Sequence, residues 1–151
     1  MYSKELSYTW KEFVMDCLSI KKKKYDVDAV VAITNGGYYP GAFMAARYGL
    51  PLHTISASSY KDKKKSKLLV GKVPSTLAGK RVLLVDDIID TGSTMRGVTS
   101  KLYESNIDVC DIVVVFKRYG TNYQGDSLKR VKKGVWVKFP WEEKQYEVSA
   151  V

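Results

Sequence analysis

An apolar run that ends on paired carboxylates is the most informative part of this chain. Val82-Leu83-Leu84-Val85 leads straight into Asp86 and Asp87, a third carboxylate follows at Asp90, and Thr91-Gly92-Ser93-Thr94 comes next. The pattern predicts a buried strand over Arg81–Val85, a turn-rich connection over Asp86–Gly92 and a helix over Ser93–Ser105. Thr, Gly and Ser at a helix N-terminus make an anion cradle. Backbone N–H groups point outward, the helix dipole favours negative charge, and hydroxyls add donors. Gly92 lets the backbone approach such an anion closely. An ordinary helix cap would account for Asp90–Thr94 alone. It does not account for Asp86 and Asp87, because charge at the end of an apolar strand is costly unless it is used. A cis-diol or a metal-bound sugar would use it. The Walker pattern G-x-x-x-x-G-K-[ST] is absent.

Other chemistries find little material. The single histidine, His53, opens an apolar strand-like run, so a Ser-His-Asp triad or a multi-histidine zinc site would have to be built around it. A structural or surface role is expected there. Cys17 and Cys110 sit in apolar runs without a CxxC partner, which predicts two small buried hydrophobes rather than a disulfide or metal site. That usage fits a reducing, cytoplasmic setting. No segment is apolar for long enough to span a bilayer and no signal peptide opens the chain, so no stable membrane insertion is expected. Twenty-five Lys and Arg face sixteen Asp and Glu, a net charge of +9. This suits an anionic partner, either nucleic acid or a small polyphosphate.

The elements that must position these residues alternate between strand and helix. Thr9-Trp10-Lys11-Glu12 has the form of a capping box, followed by Trp10, Phe13, Val14, Cys17 and Leu18 at helical spacing, which predicts a helix from Thr9 to Lys22. Asp28–Thr34 reads as a buried strand broken by Asn35-Gly36-Gly37, and Pro40–Tyr48 as a helix closed by Gly49. Lys21–Lys24 reads as a solvated helix end. Leu52–Ser58, Cys110–Phe116 and the weaker Val131–Phe139 read as strands. Ser59–Gly79, which holds Lys61, Lys63–Lys65 and Lys67, reads as a long loop or a flexible hairpin. Several strands are apolar on both faces, so the expected class is α/β: a parallel central sheet flanked by helices, as a single domain over residues 1–151. Ligands bind at the carboxyl ends of such strands.

Val82–Thr94 resembles the phosphoribosyl pyrophosphate (PRPP) motif of the type I phosphoribosyltransferases. The chain is most similar to their short 6-oxopurine (xanthine-guanine) branch. Tyr8-Thr9-Trp10 is similar to the opening of that branch's first helix, Gly36–Ala42 to its pyrophosphate loop, Ser58-Ser59-Tyr60 to the start of its mobile hood, and Trp136–Glu142 to its base-binding stretch. The resemblance implies that fold, with Ser59, Tyr60, Lys65 and Lys67 in the hood. It implies that Asn35, Gly36, Gly37, Asp86, Asp87, Asp90, Thr91, Gly92, Ser93 and Thr94 bind PRPP, with Gly36 and Gly37 presenting backbone to the pyrophosphate. Thr91–Thr94 would hold the 5′-phosphate. Asp86 and Asp87 would face the ribose hydroxyls, and Asp87 would contact Mg2+. Asp90, near nitrogen 7 of the base, is the implied general base. Lys117 would donate to the 6-oxo group, Trp136 would stack on the ring, and Val137 would offer main-chain contacts. The implied substrates are PRPP and guanine, xanthine or hypoxanthine. The products are the nucleoside monophosphate and pyrophosphate of purine salvage, made by a homo-oligomer, dimer or tetramer.

The chain departs from that pattern at Asn35, where the family usually carries arginine, and at Ser66, where the hood arginine falls. The tail after Trp141 also differs. A second reading is therefore kept: a regulator of the same fold that binds PRPP or nucleotide as a signal and nucleic acid through its basic surface.

Overall fold

The structure is a computed structural model that describes residues 2–21 and 23–142, the side chain of Asp62 excepted. Thr9 caps α1 (Trp10–Ser19). Its hydroxyl accepts the Glu12 N–H at 3.1 Å, and the Glu12 carboxylate accepts the Thr9 N–H at 3.3 Å, which completes the capping box. The helix stops at Ser19, with Ile20 already extended, because the lysines that follow offer no apolar face. The predicted end at Lys22 lies outside the described residues, as does the tail beyond Glu142.

β2 (Ala29–Thr34) feeds α2 (Tyr38–Tyr48), which starts before Pro40 and ends on Gly49 in the left-handed region. β3 (Leu52–Asp62) folds back as β4 (Lys65–Val70). β5 (Arg81–Ile89) leads to α3 (Ser93–Glu104), and β6 (Asp108–Arg118) to β7 (Asp126–Val131). β8 (Val135–Lys138) pairs with β1 (Lys4–Ser7) in a separate parallel two-stranded sheet. The main sheet has the order β4-β3-β2-β5-β6-β7 and is parallel throughout except for the β3–β4 pair. The expected α/β class and parallel sheet are thus present.

Three expectations need correction, and one open alternative is decided. Asp86–Ile89 is strand, not turn, because β6 runs on beside it and pairs Asp86 with Val114 and Ile88 with Phe116. Within Ser59–Gly79 the hairpin alternative is the one observed: Ala57 to Asp62 pair with Val70 to Lys65 around a turn that holds Lys63 at φ +58. Val131–Phe139 is not one strand. Gly134 turns the chain at φ +79, so Val131 ends β7 while β8 joins β1. Cys17 is buried as expected, its thiol pushed up to about 11 by burial, but Cys110 is exposed near the start of β6.

Successive residues of a strand face opposite sides, and β5 shows it. Val82 and Leu84 pack with Met95, Val98 and Leu102 of α3, while Leu83 and Val85 pack with Met44 and Ala45 of α2. Phe13 and Cys17 of α1 close a third cluster with Val115, Val137 and Phe139. Among the described residues no helix is long and apolar enough to cross a membrane.

The strand order sets where a ligand can bind. From β2 the chain moves outward to β3. From β5, on the other side of β2, it moves the opposite way to β6 and β7. The β2/β5 boundary is therefore a topological switch point, where the loops leaving two neighbouring strands diverge to opposite faces and open a crevice. Those loops are Asn35–Gly37 and Asp90–Gly92.

Candidate active site

The loop after β2 is pressed against the end of β5. The Thr34–Asn35 peptide is cis, and the Gly37 N–H donates to the Ile33 carbonyl at 2.7 Å. A methyl group on Gly37 would lie 2.5 Å from the Val85 carbonyl oxygen and 2.6 Å from that of Ile33. A methyl on Gly36 would collide with the Asp87 carboxylate. Both glycines are required because only bare backbone fits between the two strand ends. Asn35 is exposed and Gly36 half-buried, so this backbone faces the crevice.

Asp86 is 8% exposed, and its Oδ1 accepts the Asp87 N–H at 2.8 Å. Burial, then the charge of Asp87, raise the Asp86 carboxyl well above its ordinary value of 3.8. Burial also raises Asp87, opposed by hydrogen bonding from Asp86 and from the backbone N–H of Ile88. The pair therefore holds a proton more readily than free carboxylates do. Two further groups from the Pro140–Glu142 turn face the pair. The buried Trp141 indole N–H faces Asp87 and opposes the rise of that carboxyl, although among the described residues it falls short of a full hydrogen bond. Glu142 is raised by burial and by the Asp87 charge. Among the described residues no cluster of three or more His, Cys, Asp or Glu could cage a metal. Two adjacent carboxylates at a crevice suit Mg2+ all the same, because that ion is usually held by one or two carboxylates with waters and substrate phosphates completing its shell.

Beyond Ile89 the chain turns into α3. Gly92 sits at φ +91, and a methyl there would lie 2.7 Å from the Tyr123 ring. The Thr91 hydroxyl accepts the Ser93 N–H at 3.3 Å and lies 3.0 Å from the Ser93 hydroxyl. Residues Asp86 to Met95 together line one cleft of about 180 Å³. The predicted ribose, phosphate and general-base residues are thus contiguous in space as well as in sequence.

The predicted base-side residues are more dispersed. Lys117 is buried one residue before the end of β6, and its charge acts on Asp126. The Val137 side chain is in the core, which leaves only its main chain for a ligand. Trp136 is exposed on β8 and reaches Asp90 through a residue the sequence reading missed. The Tyr2 ring lies 5.0 Å from the Trp136 ring, and its hydroxyl donates to Asp90 Oδ2 at 3.5 Å. Arg118 was missed as well. Its Nε donates to Asp90 Oδ1 at 2.7 Å. The Phe116-Lys117-Arg118 strand end was the available signal, read only for its lysine. A cavity of about 570 Å³ lined by Asp90, Thr91, Arg96, Arg118, Tyr123 and Lys133, among others, adjoins the cleft at Asp90 and Thr91. Ser59, Tyr60, Lys65 and Lys67 are exposed on the β3–β4 hairpin. The base of that hairpin is tied to α3 by Lys101, which donates to the Val70 carbonyl at 2.8 Å.

The arrangement combines a bare-backbone loop, a buried acidic pair, an anion-binding turn and a carboxylate on their border. Such an arrangement could seat a phosphorylated, polyhydroxylated ligand. The comparisons agree. Residues 8–149 match the family model described as phosphoribosyl transferase domain. The xanthine-guanine phosphoribosyltransferase of Chromohalobacter salexigens is 30% identical over 93% of this chain and 86% of its own length. That of Nitratidesulfovibrio vulgaris is 30% identical over 99% and 93%. The crystal structure of a purine phosphoribosyltransferase from Pyrococcus horikoshii superposes with a TM-score of 0.79 at 25% identity, covering 93% of this chain and 96% of that one. The chain belongs to the phosphoribosyltransferase family.

Proposed function

We propose that the protein transfers the phosphoribosyl group of PRPP to a 6-oxopurine, giving the nucleoside monophosphate and pyrophosphate. The observation that carries this reading is that Asp86, Asp87, Asp90 and Thr91–Thr94 line one cleft. The similarity to two xanthine-guanine enzymes supports the 6-oxopurine class.

The Thr91–Thr94 turn holds the 5′-phosphate through backbone N–H groups and hydroxyls, while Asp86 and Asp87 accept from the ribose hydroxyls. The backbone of Asn35–Gly37 lies along the pyrophosphate. Asp87 would hold Mg2+, which would supply charge neutralisation to the departing pyrophosphate. Loss of pyrophosphate leaves an electron-poor, oxocarbenium-like sugar. The purine nitrogen bonds to that carbon, and Asp90 accepts the proton released from nitrogen 7. Trp136 stacks on the ring, Val137 meets its edge through main-chain groups, and Lys117 donates to the 6-oxo group. An ammonium there disfavours adenine, whose amino group is itself a donor. Closure of the Ser59–Lys72 hairpin excludes water and brings Lys65 and Lys67 towards the pyrophosphate. The same reading includes a dimer or tetramer. It is supported by the exposed apolar residues Trp10, Val14, Met15 and Leu18 on α1.

Pyrophosphate release from PRPP, Mg2+ and guanine tests this reading. Release that excess chelator abolishes supports it. Binding of PRPP or nucleotide with no transfer to any base favours the regulator.

A further inference from the structure

We propose that Arg118 is the positioning residue of this site: it fixes the Asp90 carboxylate and ties it to the strand that carries Trp136. The inference rests on the reading of Asp90 as proton acceptor. Arg118 is 7% exposed, and a cation that deeply placed must be fully paired. Its Nε donates to Asp90 Oδ1 at 2.7 Å. Its Nη1 donates to the carbonyls of Lys132 and Val135, at 2.7 and 2.8 Å. One rigid guanidinium thus joins the loop after β5, the β7–β8 turn and the first residue of β8, next to Trp136. A lysine ammonium, a point charge on a flexible stem, lacks the planar fork that fixes these directions.

The pairing also divides the work of the two Asp90 oxygens. Oδ1 is committed to Arg118 through a short, charge-assisted bond. Among the described residues Oδ2 has only the 3.5 Å contact from the Tyr2 hydroxyl, and the Tyr2 ring lies against Trp136 and over the Arg118 guanidinium, 5.7 Å away. Oδ2 therefore faces the aromatic pair and is the oxygen left to take a proton from a base lying against Trp136. An ion pair that merely stiffened the β7–β8 turn would not need its partner at Asp90.

A double-mutant cycle on the full chain separates the two roles. Arg118→Met should lower kcat about tenfold to a hundredfold, as small misplacements of a reacting group do. The KM for PRPP should stay within about twofold, since the phosphate contacts are elsewhere. Arg118→Lys should fall between Arg118→Met and wild type. In an Asp90→Asn background, Arg118→Met should cost no more than about a further twofold, because the group through which it acts is gone. Losses that multiply in the double variant, or an Arg118→Met enzyme with wild-type kcat, overturn the inference and leave the Asp90 reading standing. Wild-type turnover in Asp90→Asn alone overturns both. If Arg118→Met does not fold, Arg118→Lys carries the same cycle.

Discussion

Replacing Asp86 with asparagine should stabilise the fold at neutral pH while it weakens the site. The side chain is almost completely buried, and its Oδ1 accepts the Asp87 N–H at 2.8 Å, a bond that the asparagine amide oxygen can keep. What the substitution removes is a proton-binding group whose ionisation the fold opposes, through burial first and the Asp87 charge second. The folded carboxyl lies above its ordinary value of 3.8, so the native state binds more protons than the unfolded chain over the interval between. Wild-type stability is therefore fullest below that value and is lost as pH rises through the folded pKa. Asparagine has no such dependence. Each 1 kcal/mol of that opposition removed raises the Tm of a chain of this size by about 2–4 °C. A gain of about 3 °C or more is expected at pH 7.5, shrinking towards pH 4.5. Thermal melts of both proteins by circular dichroism across that range, without ligand, make the measurement. Turnover, and the added stability given by PRPP with Mg2+, should both fall in the variant. An unchanged or lower Tm at pH 7.5, or a gain that does not depend on pH, refutes the reasoning.

Gly37→Ala forces a methyl onto two carbonyl oxygens at 2.5 and 2.6 Å, atoms of strand backbone that cannot step aside. Overpacking of that kind costs about 1–3 kcal/mol; a raised KM for PRPP should accompany the lower Tm, and normal values of both count against the loop placement. Asp90→Asn should lower turnover by about two to four orders of magnitude while PRPP binding, measured by calorimetry, survives. Near-normal turnover with unchanged pH dependence defeats the general-base role. In hydrogen exchange, the free protein should show Ser59–Lys72 exchanging well before the β2 and β5 amides, and strong protection across that hairpin contradicts the proposed closure.

The residues legible in the sequence are those whose meaning is local. Strand, carboxylate pair, Asp90 and the Thr-Gly-Ser-Thr turn lie within Val82–Thr94, so their order along the chain is their order in the cleft. Asn35–Gly37 was legible from the residues as a break after a strand, while a part for its glycines at the site came only from the family resemblance. What was hidden depends on register between distant segments. Arg118 meets Asp90 across 28 residues and Tyr2 meets it across 88, and no periodicity reports either contact. β1 was missed because it is fully exposed and finds its partner, β8, near the other end of the chain. β4 alternates between exposed and half-buried side chains only in its second half, so its lysines read as loop. Cys110 sits in an apolar run, but that part of β6 is exposed, and burial could not be told from composition there.

The central claim is that a phosphoribosyl group reaches a 6-oxopurine in this cleft. Its most direct test is a panel of guanine, xanthine, hypoxanthine and adenine. Each base is incubated with the protein, PRPP and Mg2+, and nucleoside monophosphate is quantified by chromatography. Product is expected with at least one of the three 6-oxopurines and none above background with adenine. Preferential use of adenine, or no nucleotide from any base by a protein that binds PRPP, would contradict it.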